Sequence, residues 1–319
     1  MTTTAQPLTK TRKRGKGPKM TVSIIGAGEV GRAYAKAINE QGILDGGVVL
    51  CDPRPPLAAQ ELAAETGVRI HAEPGSWLAE VDQVWLAVTG DLTLRVLDGL
   101  LPWLSRGTVV VDLTTASPAD KREAQARASA VGVRYVDAVI LGAIALTGAR
   151  TPLLAAGPHA SEAMEPFMAL GATVKCLPSA SAGDAAALKL LRTILTKGLE
   201  TLAVECLVAA EDQGVRAELY EAMSDVDDTG FTNFLDMLVR THVVHAERRM
   251  HEVARAQQQL QNLGFPASML AASEQVYARS VALRAIEPPS SETERSVEEA
   301  LRWLAKAERP SSKRPANAL

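Results

Sequence analysis

The chain has 319 residues, 47% of them hydrophobic and 22% charged, with a mean hydropathy of +0.02. That balance suits one large or two medium globular domains and excludes collagen, coiled coil and wholesale disorder. Formal charge is −3, but residues 1–20 hold six basic residues and no acid, so 28 of the 34 basic residues face all 37 acidic ones elsewhere, a balance of −9; an acidic body is poorly suited to phosphate backbones.

Residues 1–19 (MTTTAQPLTKTRKRGKGPK) are basic and lack the apolar stretch of a secretory signal. They are expected to be a disordered leader, with 309–319 as a disordered tail. No apolar run approaches the ~20 residues of a membrane-spanning helix. Three widely spaced cysteines, Cys51, Cys176 and Cys206, suggest neither disulfides nor a zinc site. They read as small buried residues of a cytoplasmic protein. No metal, membrane or nucleic-acid partner is expected.

From residue 20 to about 180, short Val/Ile-rich runs alternate with helix-length stretches. The runs are Thr21–Ile25, Val48–Cys51, Val84–Val88, Thr108–Asp112, Val133–Asp137, Leu153–Ala156 and Thr173–Cys176. Alternation of this kind predicts a doubly wound α/β domain with a parallel sheet over 20–180. Beyond 180 the strand signals stop. Residues 182–213 read as one long helix ending near Gly214, and further helices continue to about 284. A final amphipathic helix over 292–307 presents Val297, Ala300, Leu301 and Leu304 on one side. The second domain, 181–308, is expected to be all-helical.

The first strand runs directly into Gly26-Ala27-Gly28-Glu29-Val30-Gly31 and then a helix. Gly26 permits the tight turn, Gly28 lets a pyrophosphate approach the backbone, and Gly31 allows close helix–strand packing. The second strand ends at Asp52, placed to bind the adenosine ribose hydroxyls. Val88, closing the run that begins at Val84, and Thr89 after it complete the expected cofactor set. Asp52 favours NAD, because a carboxylate repels a ribose 2′-phosphate. Arg54 could instead pair with that phosphate and select NADP; NAD is the preferred reading.

Four segments in order resemble the β-hydroxyacid dehydrogenase superfamily, which includes 3-hydroxyisobutyrate and 6-phosphogluconate dehydrogenases. They are the glycine motif, Asp112-Leu-Thr-Thr-Ala-Ser-Pro118, Asp137-Ala-Val-Ile-Leu-Gly142, and Gly183-Asp-Ala-Ala-Ala-Leu-Lys189. The helical half is similar to a bacterial branch of phosphogluconate-dehydrogenase-like oxidoreductases. The resemblance implies a Rossmann-type fold and NAD(P)-dependent hydride transfer to or from a small 3-hydroxy acid. It further implies Lys189 as general base or acid, with Thr114, Thr115, Gly142 and Thr193 at the substrate, and a homodimer formed through the helical domain.

The chain departs from the family pattern at three points. Thr193 stands where the family usually has asparagine. Leu141 replaces the serine that helps hold a substrate carboxylate, and Ala143 replaces a glycine. These changes imply a larger or more apolar pocket, or an anion held elsewhere. Lys197, and His245 with Arg249 at i, i+4, are candidates for that second role, phosphorylated and phosphonate substrates included. Two alternatives stand beside this reading. One is imine reduction, although imine reductases generally replace the lysine; the other is a non-catalytic dinucleotide-binding regulatory protein.

Overall fold

The computed structural model describes residues 20–177, 179–289 and 296–308, so the expected leader and tail lie outside the described residues. Two compact units are present, one up to Thr193 and one from Ile194. The expected border at 180 falls ahead of this division, because the first turns of the long helix group with the sheet.

The first unit runs β1 (Val22–Ile25), α1 (Glu29–Gln41), β2 (Val48–Cys51), α2 (Leu57–Thr66), β3 (Arg69–His71), β4 (Gln83–Leu86), α3 (Thr93–Leu100) and β5 (Val109–Asp112). It continues through α4 (Pro118–Ala130), β6 (Arg134–Ile140), α5 (Ile144–Thr147), β7 (Leu153–Ala156), α6 (Ala160–Ala163), α7 (Glu165–Ala169) and β8 (Val174–Leu177). The strands form one sheet in the order β3-β2-β1-β4-β5-β6-β7-β8. β1, β2, β4, β5 and β7 are buried at every position, so they read as continuous apolar runs rather than as alternating ones. One core cluster contains Tyr34, Trp85 and Phe167, whose rings meet at centroid distances of 3.9–5.5 Å. A second gathers Leu78, Leu86, Leu97 and Leu100.

Two expectations for this unit need correction. The sheet is mixed, since β7 pairs antiparallel with β6 while β7 and β8 run parallel to each other. The β6–β7 connection, residues 141–152, holds the four-residue α5 and a 3-10 turn and returns the chain antiparallel to β6. The edge strand β3 has no counterpart in the predicted set, its three residues (RIH) being polar or half-exposed. Of the cysteines only Cys51 is buried; Cys176 is half-buried and Cys206 exposed.

Helix α8 (Asp184–Asp212) runs from the first unit into the second. The second unit then holds α9 (Arg216–Ala222), α10 (Ser224–Asp227), α11 (Phe231–Asn262), α12 (Ser268–Ile286) and α13 (Val297–Glu308). Val243, Leu283, Ala300 and Trp303 form its core cluster, from α11, α12 and α13. The carboxylate of Glu205 accepts the amides of Met269 and Leu270 at 2.9 and 3.2 Å. It thereby caps α12, whose own N-cap residue, Ala267, offers no side-chain acceptor. The last helix differs from its predicted face. Trp303 is buried and donates to the Glu287 carbonyl at 3.0 Å, whereas Leu301 is 51% exposed. The buried stripe follows 300, 303, 304 and 307, and Leu301 falls off it. Residues 290–295, part of the expected helix start, lie outside the described residues.

Candidate active site

The glycine loop is shaped by what a side chain would strike. Gly26 sits at φ +103°, and a Cβ there would lie 2.6 Å from the Ala87 carbonyl oxygen and 3.1 Å from Val88. A Cβ at Gly31 would fall 2.0 Å from the Gly26 oxygen. Gly28 is different, with nothing within 4 Å of its missing Cβ. It is exposed, and as N-cap of the 13-residue α1 it makes no side-chain cap bond. The first amides of α1 are thus left for an anion, and the open space at Gly28 admits one to the backbone. These residues fit a dinucleotide pyrophosphate. Asp52, half-buried at the end of β2, accepts the amides of Ala27 and Arg54, both at 2.8 Å. Its charge is therefore held at the loop. Arg54 is exposed, as are Glu29 and Thr89; Val30 and Val88 are half-buried.

The second strand end belongs to β5. Asp112 is fully buried, accepting the Thr114 amide at 2.8 Å on Oδ1 and the Tyr135 hydroxyl on Oδ2. Burial, then the Asp112 charge, raises the Tyr135 phenol well above its usual value, so it stays a donor. Thr114 is buried too, and its hydroxyl receives that of Thr93 at 2.8 Å. Thr115 is exposed. Gly90 lets the loop after β4 lie against this segment, because a Cβ there would sit 2.7 Å from the backbone of Thr115 and Ala116. The cofactor loop and the expected substrate segment therefore meet in one unit.

Beneath them lies a charge cluster that the sequence pattern does not announce. Lys121 of α4 is fully buried. Its Nζ donates to the Asp112 carbonyl at 2.8 Å and lies 2.9 Å from Asp112 Oδ1. Asp137 Oδ1 faces the same ammonium at 3.3 Å, outside hydrogen-bond geometry. Asp137 Oδ2 accepts the amides of Gly183 and Ala186, at 2.9 and 3.1 Å, at the start of α8.

Lys189 follows on that helix, half-buried. Burial first, then the positive charges of Lys121 and Arg192, pushes its ammonium below the usual lysine value, against the opposing pull of Asp137. Thr193 is exposed and donates its hydroxyl to the Lys189 carbonyl at 2.8 Å, so that proton is used within the helix. Leu141 does not simply widen a pocket. It packs against the cluster of Val139, Leu154, Ala156, Ala185 and Ala186, filling space beside the start of α8. Gly142 next to it is exposed.

Three candidates belong to the second unit. Lys197 is exposed and paired with Glu200 at 2.5 Å. Arg249 donates to Thr241 at 2.9 Å, while Arg248 pairs with Glu252. His245 is half-buried. The histidine with defined partners in that stretch is His242, bonded to Ser280 at 2.9 Å and stacked on Tyr277. Sequence reasoning missed Lys121, Tyr135, Thr93 and Gly90. Lysine and tyrosine in a helix and a strand carry no marker of partnership across the fold; Asp112 was legible as a strand end, whereas Asp137, expected to close its run, lies inside β6, which continues to Ile140. Among the described residues no helix is long and apolar enough to cross a membrane, and no three His, Cys, Asp or Glu side chains are grouped to hold a metal ion.

Residues 21–178 match the NAD binding domain of 6-phosphogluconate dehydrogenase, and residues 210–280 match a domain of unknown function (DUF1932). A probable 3-hydroxyisobutyrate dehydrogenase of Mycobacterium tuberculosis is 27% identical over 209 residues, 63% of this chain and 63% of its own length. A solved conserved hypothetical protein of Sinorhizobium meliloti is 24% identical, with a TM-score of 0.56 over 92% of this chain and 98% of that one. An imine reductase from Myxococcus stipitatus is 20% identical, with a TM-score of 0.70 over 90% of this chain and 99% of that one. These last two likenesses carry the fold. Residues 21–178 are thus an NAD-binding domain of the 6-phosphogluconate dehydrogenase type, and the chain classifies as an NAD(P)-dependent oxidoreductase similar to the hydroxyacid dehydrogenases.

Proposed function

We propose that this chain transfers hydride between a nicotinamide dinucleotide, NAD in preference to NADP, and a small 3-hydroxy acid or related β-hydroxy compound, phosphorylated and phosphonate members included. The observation that carries the reading is Lys189: a half-buried lysine whose ammonium is disfavoured, on a helix whose start is bonded to Asp137. The bound nicotinamide would supply the hydride acceptor or donor. Neutral Lys189 takes the hydroxyl proton in oxidation, and its ammonium returns one in reduction. Thr115 and Gly142, both exposed beside the buried cluster, are the substrate contacts of this reading. Thr114 acts from behind, holding the segment through Thr93. Asp52 favours NAD because its fixed charge opposes a 2′-phosphate.

We also propose a homodimer through α8, on the evidence of Ile194, Leu195, Leu199, Leu202, Val204 and Val208, all exposed in the isolated chain.

The test is reduced-nicotinamide absorbance with a panel of 3-hydroxy acids and both cofactors, comparing Lys189→Ala with the parent. Turnover should fall by about a thousandfold or more with cofactor affinity nearly unchanged. Oxidation by the parent should rise with pH through the lowered Lys189 value, and reduction should fall across the same range. Parallel loss of turnover and cofactor binding would break the role. The greater fold likeness to an imine reductase keeps imine reduction as a second reading. Cyclic imines in the same panel, turned over where every hydroxy acid is inert, would select it.

A further inference from the structure

We propose that Lys121 is a positioning residue, which ties the substrate segment after β5 to the start of α8 so that Lys189 is presented in one fixed register. The inference rests on Lys189 as the proton-transfer group. It concerns a side chain that touches neither cofactor nor substrate.

The geometry is a bridge from the end of β5 to the middle of β6. Asp112 closes β5 and holds the Thr114 amide; Asp137, in β6, holds the amides of Gly183 and Ala186. Each carboxylate is fully buried, and in parallel neighbouring strands they sit directly opposite one another in register. Two buried carboxylates side by side repel, and a cation between them offsets that repulsion. Lys121 is that cation, 2.9 Å from Asp112 and 3.3 Å from Asp137. Gly183 packs where no side chain would fit. It stands at φ +94°, with the Pro118 carbonyl 2.5 Å from where a Cβ would lie, so α4 and the entry to α8 are already in contact.

The bridge also has an electrical consequence. The charged groups acting on Lys189 are Lys121 from α4 and Arg192 from its own helix, which both disfavour its ammonium, and Asp137 from β6, which favours it. Removing Lys121 or removing the Asp137 charge must therefore move Lys189 in opposite directions. A merely structural role predicts something else: any break in the bridge admits water, and both variants relax toward the ordinary lysine value.

The experiment is an NMR pH titration of full-length protein labelled with 13C at the lysine ε carbon, with the Lys189 signal assigned by its loss in Lys189→Arg. In Lys121→Met the Lys189 midpoint should rise; in Asp137→Asn, which keeps an acceptor oxygen for the two amides, it should fall. Midpoints that rise in both variants, or move in neither, overturn the proposal. Should Lys121→Met fail to fold, Asp137→Asn decides alone, since only a fall supports the bridge. The titration needs no substrate. A Lys189→Ala variant as active as the parent and a collapsed pair of midpoints are therefore separate results: the first would sink the role assigned to Lys189, the second the positioning role.

Discussion

The two units handle polar and apolar side chains in opposite ways. Among the described residues, nine buried polar or charged side chains lie in the first unit, Lys121, Asp112, Asp137, Thr93 and Thr114 among them; the second has one, Ser280. Large exposed apolar side chains show the reverse bias, and from Ile194 to Val208 they recur along α8, with Ile194 72% and Val204 59% exposed. A buried ion cluster is a weak source of net stability but punishes any change of geometry, so it specifies one arrangement. Exposed leucine and valine specify nothing until something covers them. The first unit thus gathers its polar contacts inside, and the second leaves exposed the apolar face on which the proposed dimer would form.

The sharpest way to break this comparison is to charge that surface. Val204→Asp should convert a dimer to monomers in sedimentation velocity. An unpaired carboxylate in a dry interface costs on the order of 4 kcal/mol, or about a thousandfold in dissociation constant. A parent chain that sediments as a monomer at micromolar concentration would sink the dimer outright. A smaller effect is expected in the first unit from Gly31→Ala, because its added Cβ would lie 2.0 Å from the Gly26 carbonyl. Overpacking of this kind costs roughly 1–3 kcal/mol of stability, read as a lower urea midpoint, and dinucleotide affinity should weaken about tenfold or more as the loop shifts. Unchanged affinity would mean that the loop is not the pyrophosphate cradle.

Much of the first unit was legible because its physics is local. The glycines at 26, 28 and 31, the apolar runs of β1, β2 and β7, and Asp52 at a strand end all act within a few residues of themselves. What escaped is long-range. Lys121 meets Asp137 sixteen positions on, and Thr93 meets Thr114 across twenty-one; spacing along the chain does not encode such partners. The reversal of β7 turns on the connection 141–152, whose length fits a strand of either direction. In α13 the pattern offered four apolar residues, and packing took Trp303 in place of Leu301 because burial follows volume and helical phase together. Lys197 and Arg249 were chosen for charge and spacing. Charge alone does not distinguish a ligand-binding cation from one already paired with Glu200 or bonded to Thr241.

The smallest expected effect examines the contact made by Ser280, the buried polar side chain of the second unit among the described residues. His242 of α11 bonds to Ser280 and stacks on Tyr277, both on α12. Burial, then Arg249 on its own helix, lowers its pKa from the usual 6.5, while Glu308 of α13 acts in the opposite sense. The folded chain therefore resists a proton that the unfolded chain accepts as pH drops below 6.5, and stability must fall through the window between 6.5 and the lowered value. His242→Gln retains a partner for the Ser280 hydroxyl and removes the titration. Between pH 7 and pH 5 the parent should lose more stability than the variant, by under about 1 kcal/mol for a group still partly open to solvent. Urea midpoints at the two pH values measure the difference. Equal slopes would mean that the α11–α12 contact does not sense the proton.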